Sequence, residues 1–347
     1  TAEPSHGLRE TRDIIIRNSC SFDLSLGFTG GFAGFASDGA CQKNQVDGGN
    51  GRCFWDLDLA DSLEPGDVFE TTIDHGGEDG PVLLSGNVWG TRFLEEVCPD
   101  AECTPWIGPR GSVTRVEFTF LTGENSADFI DVSLVDGGAS LPVSMRPRGF
   151  ELEISEEVVL AYPGHCGWDF DPGDDFVYLV EVRGSQGECA SREECLGGDV
   201  CGVSFAGPEP VYGTCGQHAG WTNALANCMH GSTSPKFQCD KYFDVYACRG
   251  EWDESGYAPG VSVSGETRVC GCTTFPGIEG LSLAFPCQNS DEVWIDVALP
   301  WITFLKNGCP SAFTWPYDDS ASSLFTFSSG SYELELCPGD SESVFFM

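Results

Sequence analysis

The sequence predicts a mainly β protein: a disulfide-stapled β-sandwich with a cysteine-rich second lobe. Three observations predict it. Apolar and polar residues alternate over several short segments, the period of a strand with one buried face. The 44 glycines and 20 prolines punctuate those segments and favour turns over long helices. The 18 cysteines, an even number, suit a covalent framework made in an oxidising compartment. At 347 residues, 41% of them hydrophobic, the chain can bury a sizeable core of this kind.

Taken in order, residues 1–13 are polar and read as an N-terminal tail. Ile14, Ile15 and Ile16 open a strand that ends near Cys20. Residues 29–53 are glycine-rich and read as a loop pinned by Cys41 and Cys53. Val68–Ile73 reads as a strand, as does Val82–Leu84 with the run to Trp89. In Val116–Phe120, residues 116, 118 and 120 face the core, and Glu117 and Thr119 face away. In Ile130–Val135, positions 130, 132 and 134 share the core face, which leaves Asp131 and Ser133 opposite. Asp136-Gly137-Gly138 is a turn signal. Residues 150–288 hold 11 of the 18 cysteines and read as a thin, stapled core. Residues 289–306 read as a helix. Asn289 and Glu292 have capping-box spacing, Trp294, Ala298, Trp301 and Leu305 recur with helical period, and Pro300 should kink or split it.

The formal net charge of −37 repels nucleic acid and anionic lipid, and suits salty or divalent-rich surroundings in which it is screened. The sequence holds no run of 18 apolar residues, so no membrane insertion is expected. It opens at Thr1 without an apolar leader, as expected of a secreted chain whose signal peptide was removed or lies outside this sequence. It carries no Asn-x-Ser/Thr sequon. Cys215 with His218, Cys228 with His230, and Cys270 with Cys272 could each supply zinc ligands, but none has zinc-site spacing, so no metal and no cofactor is expected. Asp169–Asp175 is loosely like a calcium loop but has Val180 where the twelfth-position Glu belongs, and reads as a solvated turn. The five histidines show no catalytic spacing, and no Gly-x-Ser-x-Gly elbow occurs.

Ile16–Cys20; Ser85–Gly90; Val116–Phe120 with Asp128–Gly137 and Leu141–Val143; and Cys309–Asp319 with Leu336–Pro338 are four segments that together resemble the thaumatin-like (osmotin-like, pathogenesis-related group 5) proteins. Cys270-Gly271-Cys272 and Trp294–Lys306 look more like the fungal-type members than the plant ones. The resemblance covers 14–145 and 289–338 well and the enlarged region 150–288 loosely. It implies a flattened sandwich from 14–149 and 307–347, an inserted disulfide-rich lobe over 150–306, and an acidic cleft between them. It implies a Cys20–Cys337 disulfide, and Cys98 with Cys103 is expected as a local pair. It carries the cleft acids over to Glu117, Asp131, Asp136 and Asp318, with Trp315 and Tyr317 beside the last. The chain departs from the family at three places. Phe327 stands where a cysteine is usual. Asn87 stands where a basic residue is usual, with Arg92 near enough to replace it. The turn after Asp136 holds one extra residue.

The resemblance implies two roles for such a cleft. In one, carboxylates accept hydrogen bonds from sugar hydroxyls while aromatics stack on the rings, binding β-1,3-glucan or a related polysaccharide. In the other, Glu117 is the general acid and Asp136 or Asp131 the second carboxylate of a weak endo-glucanase. The rival expectation is a structural subunit of an extracellular coat, sheath or filament, its partners identical subunits meeting through 150–288. Membrane attack, which suits basic relatives, does not suit this acidic chain.

Overall fold

The computed structural model describes residues 11–31, 45–47, 53–55, 63–74, 83–92, 113–121, 127–135, 138–149, 177–182, 187–204, 210–229, 232, 236–247, 251–253, 256–258, 296–315, 318 and 324–338. The first strands are β1 (Thr11–Asn18), β2 (Leu24–Gly31), β3 (Gln45–Asp47), β4 (Cys53–Trp55), β5 (Val68–Asp74) and β6 (Leu83–Arg92). Then come β7 (Arg115–Leu121), β8 (Asp128–Ser133), β9 (Val143–Pro147), β10 (Val177–Glu181), β11 (Val200–Ser204) and β12 (Val211–Thr222). Helices α1 (Ala224–Met229) and α2 (Cys239–Tyr246) follow, then the hairpin β13 (Glu251–Asp253) and β14 (Gly256–Ala258). The chain continues through α3 (Leu299–Gly308), β15 (Ala312–Phe313), β16 (Phe325–Phe327) and β17 (Ser331–Leu336).

Two sheets form a mainly β sandwich. One has four strands in the order β5-β1-β17-β9. The other runs β15-β8-β7-β6-β2-β4-β3, with β16 also paired to β8. Alternation along each strand sends one set of side chains inward. Ile14 and Ile16 of β1 and Tyr332, Leu334 and Leu336 of β17 meet Phe118 and Phe120 of β7 and Ile130 and Val132 of β8. Burying each such side chain stabilises by about 1.5–3 kcal/mol. The first and last described strands pair in parallel from Asp13↔Ser331 to Asn18↔Leu336, and a Cys20–Cys337 disulfide joins their ends.

The sheet begins earlier than the tail assigned to 1–13 allows, because β1 starts at Thr11. Arg12 is 1% exposed and makes a two-pronged ion pair with Asp128, Nε to Oδ2 at 2.8 Å and Nη2 to Oδ1 at 2.9 Å. Tyr332 donates to the same carboxylate. A charged residue inside a polar segment is buried here because it brings its partner with it. The triad ties β1 and β17 of one sheet to β8 of the other.

In the second lobe β10, β11 and β12 each pair with both of the others. Disulfides Cys189–Cys201 and Cys195–Cys215 staple this unit, and Cys228–Cys239 joins α1 to α2. Cys215 and Cys228 are therefore not zinc ligands. Residues 296–297 are helical, Ala298 is a turn, and α3 starts at Leu299 with Pro300 in its first turn. The proline splits the helix by lacking the N–H that would continue it. The part of the expected helix before 296, with its capping box, lies outside the described residues. α3 fastens the lobe to the sandwich: Phe304 and Leu305 enter the sandwich core, while Ala298 and Ile302 enter a second core with Leu225, Phe237, Val245 and Trp315.

Candidate functional site

Strands β2, β6, β7 and β8 lie side by side, and their register lines up Thr29, Asn87, Glu117 and Asp131 in one row. Neighbouring strands are about 4.8 Å apart, so the row spans about 14 Å. Val116, Phe118, Ile130 and Val132 fill the core, so Glu117 and Asp131 stand on the opposite face, both half-buried. Directly opposed side chains have Cβ atoms about 4.5–5.5 Å apart, close enough for two carboxylates to serve one ligand.

Sequence reasoning missed a cation on this face. Arg115 opens β7, two residues before Glu117, and pairs in register with Ser133, which sets it diagonal to Asp131. It is half-buried, with Nε enclosed. The alternation that placed Glu117 outward, extended one step back, would have found it. Arg92, expected to replace the missing basic residue at 87, pairs in register with the buried Leu24 at the far end of β6 and is not in the row; only its backbone is described.

The chain on both sides of the next candidate is fixed from the lobe. Asn223 donates through Nδ2 to the carbonyls of Leu134 (2.6 Å) and Val135 (2.9 Å). Its Oδ1 accepts from the N–H of Ala226 at 2.7 Å, so the same side chain caps α1. Ala139 and Trp221 exchange two backbone hydrogen bonds, of 2.8 and 2.9 Å. Thr114 and Ser140 clasp each other: Ser140 Oγ accepts from Thr114 N, and Thr114 Oγ1 accepts from Ser140 N. Asp136 lies outside the described residues, as do Tyr317, Cys98 and Cys103.

Asp318 and Trp315 are corrected. Each was expected beside an open cleft, yet Asp318 is 0% exposed and Trp315 1% exposed. Asp318 Oδ2 receives Lys306 Nζ at 2.5 Å, Thr314 N at 3.1 Å and Thr314 Oγ1 at 3.3 Å. Lys306, also fully buried, donates to the Ala312 carbonyl at 2.8 Å and lies 5.6 Å from the centre of the Trp315 ring. Burial lowers the Lys306 pKa, and the charge and hydrogen bond of Asp318 oppose that. Asp318 thus neutralises a buried cation at the end of α3 and is sealed from sugar. A small void beside Trp315, lined also by Tyr246, Trp301 and Ile302 among others, has room for about one water.

Among the described residues one group has metal-ligand atoms close together, Cys189, Cys195 and Cys215, and disulfides occupy all three. What remains on the open face is two carboxylates, a guanidinium and hydroxyl-bearing neighbours. That set can hydrogen-bond an uncharged, hydroxyl-rich ligand.

No family model and no curated protein matches the chain. Among the solved structures that resemble part of it are the following two. A thaumatin-like xylanase inhibitor is 16% identical, over 39% of this chain and 76% of its own, with a TM-score of 0.22. The protein elicitor MoHrip2 from Magnaporthe oryzae is 11% identical, over 40% and 72%, with a TM-score of 0.20. At these TM-scores neither likeness bears on fold or function.

Proposed function

We propose that this is an extracellular protein of thaumatin-like type that binds β-1,3-glucan or a related neutral polysaccharide on the Glu117–Asp131 face. The observation that carries the reading is the direct pairing of Glu117 with Asp131 across β7 and β8, on the face turned from the core. The four motif segments support the thaumatin-like part. The wealth of cysteines, with four disulfides among the described residues, supports an oxidising, extracellular setting. No described helix is long and apolar enough to cross a membrane.

The reading is binding first: Glu117 and Asp131 can accept hydrogen bonds from sugar hydroxyls, while Asp318, withdrawn into a structural ion pair, takes no part. Any weak endo-glucanase action would fall to Glu117 as acid with Asp131 or Asp136 as the second carboxylate. Cross-strand spacing is of the same order as the roughly 5–5.5 Å used by retaining glycosidases.

The test is co-sedimentation with insoluble β-1,3-glucan at 0.15 M salt, where the Debye length is about 8 Å, and at 0.5 M, where it is shorter, beside a tube without glucan. Sedimentation only with glucan, abolished in Glu117→Ala, supports the reading. Sedimentation in both tubes points instead to assembly of identical subunits. No sedimentation in either removes the glucan assignment.

A further inference from the structure

We propose that Phe129 is the stacking platform of this face, and that a neutral β-glucan chain lies across the strands from Asn87 toward Thr326. The inference rests on the glycan reading above and assigns its aromatic contact, since the expected Trp315 is buried elsewhere.

Phe129 lies on β8 two residues before Asp131, so both side chains stand on the same face. Across β7 it pairs with Thr119, the residue two beyond Glu117 on the outer face, and across β16 it pairs with Thr326. A half-buried phenylalanine at one such point would be unremarked if it belonged to a core. It belongs to neither core, whereas its strand neighbour Ile130 and the flanking Phe118 and Phe120 do. Its ring meets no other aromatic ring among the described residues, while Phe118 stacks on Phe120 and Phe325 on Phe327. It is an aromatic surface beside two carboxylates and two threonine hydroxyls.

The edge of this face is built to stay in place. Phe327, at the position where related chains carry cysteine, packs on the sandwich core and lies 6.4 Å from the Tyr332 ring. Phe325 is 9% exposed. With both neighbours turned inward, Thr326 is left exposed on the outer side of β16, next to Phe129.

The chemistry selects the ligand class. A β-linked glucose ring offers C–H-rich faces ringed by equatorial hydroxyls. The faces match Phe129, and the hydroxyls donate to Glu117 and Asp131. A uronate would bring a carboxylate beside two carboxylates that the single Arg115 guanidinium does not outweigh, so net like-charge repulsion disfavours it.

Isothermal titration with soluble β-1,3-gluco-oligosaccharide tests this, with polygalacturonate as the charged probe. The variants are Phe129→Ala, Phe129→Leu, Phe129→Trp and Glu117→Ala, each retained only if its melting temperature stays near that of the wild type. Phe129→Ala and Phe129→Leu should weaken binding roughly threefold to tenfold, the scale of an aromatic contact. Phe129→Trp should keep it, and polygalacturonate should not bind. If Phe129→Ala and Phe129→Leu bind like the wild type while Glu117→Ala fails, the glycan reading stands and the Phe129 assignment is overturned. Equal binding of polygalacturonate overturns the neutral-ligand assignment. If the wild type binds no oligosaccharide, both readings fall.

Discussion

The buried pair of Lys306 and Asp318 sets the sharpest expectation at the scale of single residues. Removing one member leaves the other charged and dry, which costs about 3–5 kcal/mol. Asp318→Ala should therefore lower stability by that order in denaturant unfolding. Material that still folds should bind glucan like the wild type, because the carboxylate never reaches the surface. A loss of binding without a loss of stability would return Asp318 to the ligand site. His218 gives a pH expectation. Its Nε2 donates to the Gly220 carbonyl at 2.9 Å, and its ring sits edge-on to Tyr178 and Trp221. Burial holds its pKa down to about 4 from 6.5, helped by the charge of Arg192 and opposed by the Gly220 bond. The folded state thus prefers the neutral ring. The stability tied to it is complete above pH 6.5 and is lost as pH falls from there toward 4, at most about 3 kcal/mol. Melting curves of wild type and His218→Phe should converge over that window. Parallel curves would contradict it. Neither arrangement was legible in the sequence. Lys306 and Asp318 are 12 positions apart across a helix end, and no local pattern pairs them.

Among the elements, β7 and β8 were the most legible, because the alternation of buried and outward residues survives folding, broken in β8 at Ser133, which was expected outward and is buried. β12 was not, and glycine is the reason. A Cβ on Gly216 would sit 2.5 Å from the Glu181 carbonyl, and one on Gly202 of β11 would sit 2.3 Å from the Tyr178 carbonyl. Strands that approach this closely trade side chains for backbone contact, so the period-2 signal disappears. Gly220 is the extreme case, at φ +139° with a would-be Cβ 2.1 Å from the Ala139 carbonyl. Gly220→Ala should break the strap made by the pairing of Ala139 with Trp221. The expected result is faster amide exchange at Ala139 and Trp221 than in the wild type. Unchanged exchange would show that the strap holds without the glycine. Asn223→Ala should cost about 1–2 kcal/mol as a lost helix cap, more if the two carbonyls it serves find no water.

Over the whole molecule, the sandwich half was legible from composition, turns and alternation. The face bearing Glu117 and Asp131 was legible with it, since placing a strand places both its sides. The depth of Asp318 and Trp315 was not, because burial depends on where α3 docks, and docking is a tertiary event. The Cys20–Cys337 bond spans a separation of 317 residues. In the chain-entropy model, closing so long a loop stabilises by about 5 kcal/mol. Cys20→Ser with Cys337→Ser should lower the unfolding free energy by that order while leaving the row on the other sheet in register.

The place of β17 has a consequence for how such a chain is made. It is the last described strand, yet it lies inside its sheet, between β1 and β9. A chain still on the ribosome can lay down β1 and β5 but has an empty lane where β17 belongs. Until the C-terminal residues emerge, Ile14 and Ile16 lack their inner neighbours, and Cys20 lacks its partner. Loss of β17 and Cys337 would therefore remove the middle of the sheet as well as its lock, and the first strand would finish folding only after that segment had emerged.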